Sequence, residues 1–165
     1  GSYIEPGTEI ALIADEDNLN QLAAALARIG HDNVTAYITP EQFSKFASNR
    51  KQLETIEEIT VTELKEKMSD LKGQILDVRN SSELMETGQI EGAQNIAFTR
   101  LLIQNSEIPK NGIVYVYCRS GNRSEYACSF LKNAGFRVSH VAEGITAWMG
   151  AGFNLVPMMQ TQIEK

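Results

Sequence analysis

The chain has 165 residues, 42% of them hydrophobic, and a formal net charge of -6. That is enough apolar material for one good core or two small ones, while the acidic balance repels phosphate backbones and anionic headgroups, so neither nucleic acid nor a membrane is expected as a partner. The only two cysteines, Cys118 and Cys128, are too few for a disulfide framework and lack zinc-ligand spacing, which points to a reducing cytoplasm and to no metal or other cofactor.

Gly1 and Ser2, with no initiating Met, read as an expression scar, so the natural chain is expected to begin earlier. From there, strand and helix patterns alternate to the end, the signature of an α/β fold in which crossover helices link parallel strands and cover both faces of a doubly wound sheet. "EIALIA" (Glu9 to Ala14) reads as a strand, "NLNQLAAALARIG" as an amphipathic helix stopped by Gly30, and "VTAYI" as a second strand. Thr39, Pro40 and Gln42 supply a cap, a first-turn proline and a capping-box amide for a further helix. The polar stretch "SNRKQLETIEE" then reads as a linker, which sets expected units at 3–53 and 54–158 and leaves 159–165 as a tail.

In the second unit, Thr60 with Glu63 and Asn80 with Glu83 form two capping boxes, flanking the strand "GQILDVR". "GAQNIAF" is predicted as a strand, and a helix around "TRLLIQN" precedes a turn at Pro109. "GIVYVY" (Gly112 to Tyr117) is a continuous β-branched and aromatic run, as in a central parallel strand. A helix is expected from Ser124 to Ala134 with Gly135 as its stop, then the strand "RVSHVA" and a last helix at "GITAWM".

Strand, helix, glycine and strand also recur between the first segment and the region around Cys118, with Asp15 falling where Cys118 stands. The first copy lacks the thiol, the glycine and the arginines, so it is not expected to share any chemistry. A role in holding the second copy or binding a partner is left to it.

The stretch "YCRSGNRSEYA" places Cys118 between a strand end and a helix start, where ligands bind in doubly wound sheets. Backbone N–H groups from Arg119 through Ser120, Gly121, Asn122 and Arg123 to Ser124 can curl around the sulfur. The helix dipole and the two arginines add positive potential, and all of this favours thiolate at the mouth of the fold. Gly121 suits such a cradle because it adopts backbone conformations closed to other residues. Neither His31 nor His140 forms a recognisable pair with Cys118, and His140, in a predicted strand, is given only a packing role. A thiolate that needs no dedicated base suits a leaving group that needs no proton, and transfer of a sulfane sulfur with departure of sulfite meets both conditions. Asp77 and Arg79 are expected to fix the neighbouring loop by ion pairing, and Cys128 and Trp148 to lie in the core.

"DVR" at Asp77, "GQIEGAQNI" at Gly88, "VYCRSGNRS" at Val116, "AGF" at Ala134 and "EGITAW" at Glu143 together resemble a single rhodanese domain, from about Ile56 to Val156. Gln89 stands where that family usually has a histidine, and Glu143 where it often has a glycine. The resemblance implies a rhodanese-like fold and a sulfurtransferase in which Cys118 takes sulfur from thiosulfate or a small persulfide and passes it to sulfite, a thiol or, in vitro, cyanide. Residues 6 to 50 are similar to the degenerate rhodanese-like segment that precedes the active domain in bacterial fusions with a metallo-β-lactamase-fold persulfide dioxygenase. This implies a longer sulfide-oxidising protein from which an iron-binding domain is missing here. A cysteine phosphatase or arsenate reductase is the first alternative, though such loops place an arginine where Ser124 stands; a non-catalytic docking module is the second.

Overall fold

A computed structural model describes residues 4–49 and 54–158. The chain divides into two compact units, Gly1–Thr55 and Ile56–Lys165. Gly1 and Ser2, and the tail at 159–165, lie outside the described residues.

The first unit is a β-α-β segment followed by a helix: β1 (Ile10–Ile13), α1 (Leu19–Arg28), β2 (Val34–Ile38) and α2 (Pro40–Asn49). The strands pair in parallel, with Ile13 opposite Ile38. Gly30, at φ +84°, ends α1, and the next residue's N–H returns to the Leu26 carbonyl. Thr39 and Gln42 cap α2 reciprocally, each backbone N–H meeting the other's side-chain oxygen at 3.0 and 3.2 Å. Among the described residues of this unit only Ala14 and His31 are buried.

The second unit contains β3 (Glu57–Ile59), α3 (Val61–Lys67), β4 (Gly73–Asp77), α4 (Ser81–Thr87), β5 (Gln94–Asn95), α5 (Leu101–Gln104), β6 (Ile113–Tyr117), α6 (Asn122–Asn133), β7 (Arg137–Val141) and α7 (Gly144–Gly150). Its strands form one parallel sheet in the order β3-β7-β6-β4-β5. Side chains alternate across a strand, so β6 serves two cores. Val114 and Val116 join Leu101, Ala127, Cys128 and Leu131 on one face, and Tyr115 and Tyr117 join Leu64, Ile145 and Trp148 on the other. Both predicted capping boxes of this unit are formed.

Three expectations are corrected. The linker read in "SNRKQLETIEE" is trimmed at both ends, since Ser48 and Asn49 end α2 and Glu57 and Glu58 belong to β3. The boundary between the two units falls inside it, after Thr55, and its residues 50–53 lie outside the described residues. Among the described residues β3 lies at the sheet edge and pairs only with β7, and an edge strand accommodates charges that a central one would not. The strand expected through "GAQNIAF" shrinks to Gln94–Asn95, giving way to a 3-10 turn at Phe98–Arg100 that leads into α5. Finally, α6 begins at Asn122 rather than Ser124, because Gly121 serves as its N-cap at φ +109°.

Candidate active site

Two central strands deliver the parts of this site, and their loops hold them. Immediately beyond the end of β6, Cys118 is 1% exposed, so the sulfur expected at the mouth of the fold is recessed beneath its loop. Arg119 and Ser120 above it are exposed, as is Asn122, while Gly121 and Ser124 are buried. The Gly121 N–H donates to Cys118 Sγ at 3.3 Å, and Ser124 Oγ lies 3.4 Å from the same sulfur.

The cradle is held open from behind by α7. The Ile145 N–H donates to the Cys118 carbonyl at 2.9 Å, and the Thr146 N–H and hydroxyl both donate to the Arg119 carbonyl, at 3.1 and 2.8 Å. In a trans peptide the N–H points opposite to the C=O, so turning these two carbonyls toward α7 turns the next amides away from it. The approach is close enough to require Gly144: at φ +55° a side chain is strained there, and a Cβ would collide with the Cys118 carbonyl oxygen. Glu143, just before it, adopts φ +54°, a left-handed conformation that explains why a glycine suits this position.

Burial pushes the Cys118 thiol up. The Ser124 hydroxyl and the backbone amides of Ser124, Gly121 and Ser120 more than offset that, and the thiol sits below its ordinary value. Cys128, fully buried on α6, has no such donors, and burial above all pushes it up to about 12. One thiol is therefore poised to ionise and the other is not.

Arg123 is engaged by α4. Its Nη1 and Nη2 donate to both Glu83 oxygens at 2.6 and 2.8 Å, and this pairing holds Glu83 down to about 2 and raises Arg123. Arg119 keeps an exposed side chain and contributes its backbone to the α7 attachment. Asp77 and Arg79 are fully buried together: Arg79 Nε and Nη2 donate to the Asp77 carboxylate, at 2.6 Å for the shortest contact, and Nη1 and Nη2 continue to Thr87 Oγ1 and the Gly88 carbonyl. The pair ties the loop after β4 to the end of α4, with the Arg79 guanidinium 5.7 Å from the Tyr117 ring that precedes Cys118. Gln89 is buried, with its Nε2 on the Ala93 carbonyl at 3.4 Å, and its Oε1 has no partner among the described residues.

Sequence reasoning missed His140 and Glu58. On β7, His140 Nε2 lies 3.0 Å from Ser124 Oγ, and Nδ1 lies 2.9 Å from Glu58 Oε2 on β3. The packing role given to His140 is thus too small: the ring is one hydroxyl removed from the Cys118 sulfur. A histidine near the carboxyl end of a predicted strand is the available signal, but its partner lies in a polar run that reads as a linker.

Residues 60–151 match the rhodanese-like domain family. A sulfurtransferase of Allochromatium vinosum is 36% identical over 103 residues, which cover 61% of this chain and 95% of that protein. Among solved structures, a rhodanese-related protein from Thermoplasma volcanium is 29% identical with a TM-score of 0.58, the match covering 62% of this chain and 99% of that one. A rhodanese-like domain protein from Staphylococcus aureus is 31% identical with a TM-score of 0.55, covering 61% and 99%. The matched segment takes in more than half of the chain, including the Cys118 loop and the helix behind it, and the chain belongs to the rhodanese-like domain family.

Proposed function

We propose that this chain is a sulfurtransferase that carries a sulfane sulfur on Cys118. The observation that carries the reading is the donor set around one recessed sulfur: the Gly121 N–H and the Ser124 hydroxyl contact it, and the loop amides together lower its pKa despite burial. The family and the name of the Allochromatium relative point the same way.

In the first half-reaction the Cys118 thiolate attacks the outer sulfur of thiosulfate. The bond from that sulfur to the sulfonate breaks, sulfite leaves with the electron pair, and Cys118 keeps a persulfide. In the second, a nucleophile such as cyanide, sulfite or a small thiol attacks the outer sulfur and restores the thiolate. In neither half does the leaving group need a proton, since sulfite and the Cys118 thiolate both depart as anions. Amides from Arg119 to Ser124 hold the persulfide anion, as donors hold an oxyanion elsewhere. Arg119, exposed beside the recess, draws in the dianionic donor, while Asp77 and Arg79 support the floor under the loop. Arg123, engaged by Glu83, positions the start of α6 rather than touching substrate.

A phosphatase reading is less well supported, because its loop needs a guanidinium where Ser124 turns a hydroxyl onto the sulfur. The same proposal takes the first unit as a rhodanese-like relic without its nucleophile, and the chain as the carboxyl-terminal part of a cytoplasmic sulfide-oxidising protein. Sulfite made by a fused dioxygenase would then meet persulfide at Cys118.

Incubation with thiosulfate should add the mass of one sulfur to Cys118, and cyanide should remove it as thiocyanate. No mass gain in the wild type, or equal turnover in Cys118→Ser, would sink the transferase reading; Cys118-dependent hydrolysis of an aryl phosphate would install the phosphatase in its place.

A further inference from the structure

Ser124 Oγ stands at a crossroads. It lies 2.8 Å from the Gly121 carbonyl, 3.0 Å from His140 Nε2 and 3.4 Å from Cys118 Sγ. All three can accept a hydrogen bond, yet a hydroxyl has one proton to give. On the far side of the ring, His140 Nδ1 is 2.9 Å from the Glu58 carboxylate, which can only accept when ionised, so Nδ1 carries a hydrogen. The state of Nε2 therefore decides where the Ser124 proton points. With Nε2 bare, it draws the hydroxyl proton to itself. With Nε2 protonated, the ring donates to Ser124 Oγ and frees the hydroxyl proton for the two other acceptors, the Gly121 carbonyl and the sulfur, of which a thiolate carries the full charge.

We propose that Glu58, His140 and Ser124 form a proton wire that sets the charge of Cys118, with His140 taking up the thiol proton through Ser124. In this step the Cys118 S–H bond breaks and its proton forms a new bond to Ser124 Oγ, while the proton already on Oγ moves to Nε2. The products are a thiolate and an imidazolium, with no change of net charge and no oxidant or reductant. The imidazolium lies between two anions, donating directly to Glu58 and through Ser124 to the sulfur. Glu58 is the outlet, its side chain 60% exposed where His140 is 5% exposed. Titratable and charged groups on the elements around the ring are Glu57 and Glu58 on β3, Tyr115 and Tyr117 on β6 with Cys118 and Arg119 beyond it, Arg123, Glu125, Tyr126, Cys128 and Lys132 on α6, Arg137 on β7 and Glu143 before α7; of these, Glu58 meets the ring itself. Glu58 also lies outside the residues matched by the family, so the wire draws on a position the family match does not include.

His140 acts through Ser124 and is a positioning residue, so its test must read charge rather than shape. The proposal rests on the sulfurtransferase reading but is measured without sulfur transfer. Thiolate formation is followed by ultraviolet absorbance across pH in the wild type and His140→Gln, each taken as a difference from the matching Cys118→Ser background. Glutamine keeps a donor for Ser124 but cannot hold a proton. The thiolate fraction at neutral pH is expected to fall about tenfold in His140→Gln, and by less in Glu58→Gln, whose exposed site does not endanger folding. Coupling is reciprocal, so Cys118→Ser should move the titration of the His140 ring resonances in proton NMR to lower pH by the same amount, leaving His31 where it was. Coincident thiolate titrations in the wild type and both glutamine variants, or an unmoved His140 titration in Cys118→Ser, would overturn the wire. Failure of thiosulfate to load Cys118 alongside intact coupling would overturn the transferase reading and leave the wire standing.

Discussion

Replacing Glu83 by glutamine removes a charge while keeping the shape of its pair with Arg123, and the cost can be worked through. The Arg123 fork, donating at 2.6 and 2.8 Å, holds Glu83 at about 2 against an ordinary 4.5. At 1.36 kcal/mol per unit that difference corresponds to roughly 3 kcal/mol of stability at neutral pH. The two side chains are 30% and 24% exposed, so solvent screening reduces it to about 1–2 kcal/mol. Because the folded value is depressed, the stability is fully present above 4.5 and is lost as pH falls through 2. Linkage puts somewhat over half of it gone by about pH 3. Glutamine can still fill the capping box at Asn80, so the helix start is not what is being tested. The assay is urea denaturation followed by Trp148, the only tryptophan, which is 1% exposed in the core of the second unit. Glu83→Gln should be less stable by about 1–2 kcal/mol at neutral pH, and the gap should narrow to under half of that by about pH 3. A gap that stays the same at both pH values, or no gap at neutrality, would refute the electrostatic argument.

Further expectations concern the loop and its surroundings. Gly144→Ala forces a Cβ against the Cys118 carbonyl at a positive φ, so urea denaturation should show a loss of about 2–3 kcal/mol and absorbance should show the thiolate forming at higher pH; an unaltered titration would mean that the α7 attachment does not shape the cradle. Glu143→Gly relieves the left-handed strain and should raise stability by up to about 1 kcal/mol in the same experiment. Cys128→Ala should cost about 1 kcal/mol of packing while the thiosulfate-dependent mass gain stays on Cys118, whereas its loss would put the second thiol in the catalytic cycle.

What could be read in advance follows the range of the interactions. Capping boxes span three residues and glycine stops one or two, and all three boxes lie where the spacing put them. The β6 run needed no partner to be recognised, since a strand covered on both faces is apolar throughout. Arg123 was harder: two arginines near a thiol look alike in sequence, and only an ion pair across 40 residues separates the one held by Glu83 from the one left in solvent. His140 and Glu58 lie 82 residues apart and meet because β7 is flanked by β3 on one side and β6 on the other. Two charged residues at the end of a polar run look like connector, and nothing local marks them as a strand at a sheet edge. The recess of Cys118 was likewise invisible, for it depends on how a four-residue bend folds over its own first member.

The bonds from Ile145 and Thr146 to the loop carbonyls mean that the nest around the sulfur is assembled before any client arrives. An incoming anion meets groups already aimed, and little free energy is spent on rearranging them. The same stiffness leaves the sulfur, 1% exposed, beneath a loop tied at two carbonyls, so access to it is set by the width of the recess and not by a rearrangement of its walls.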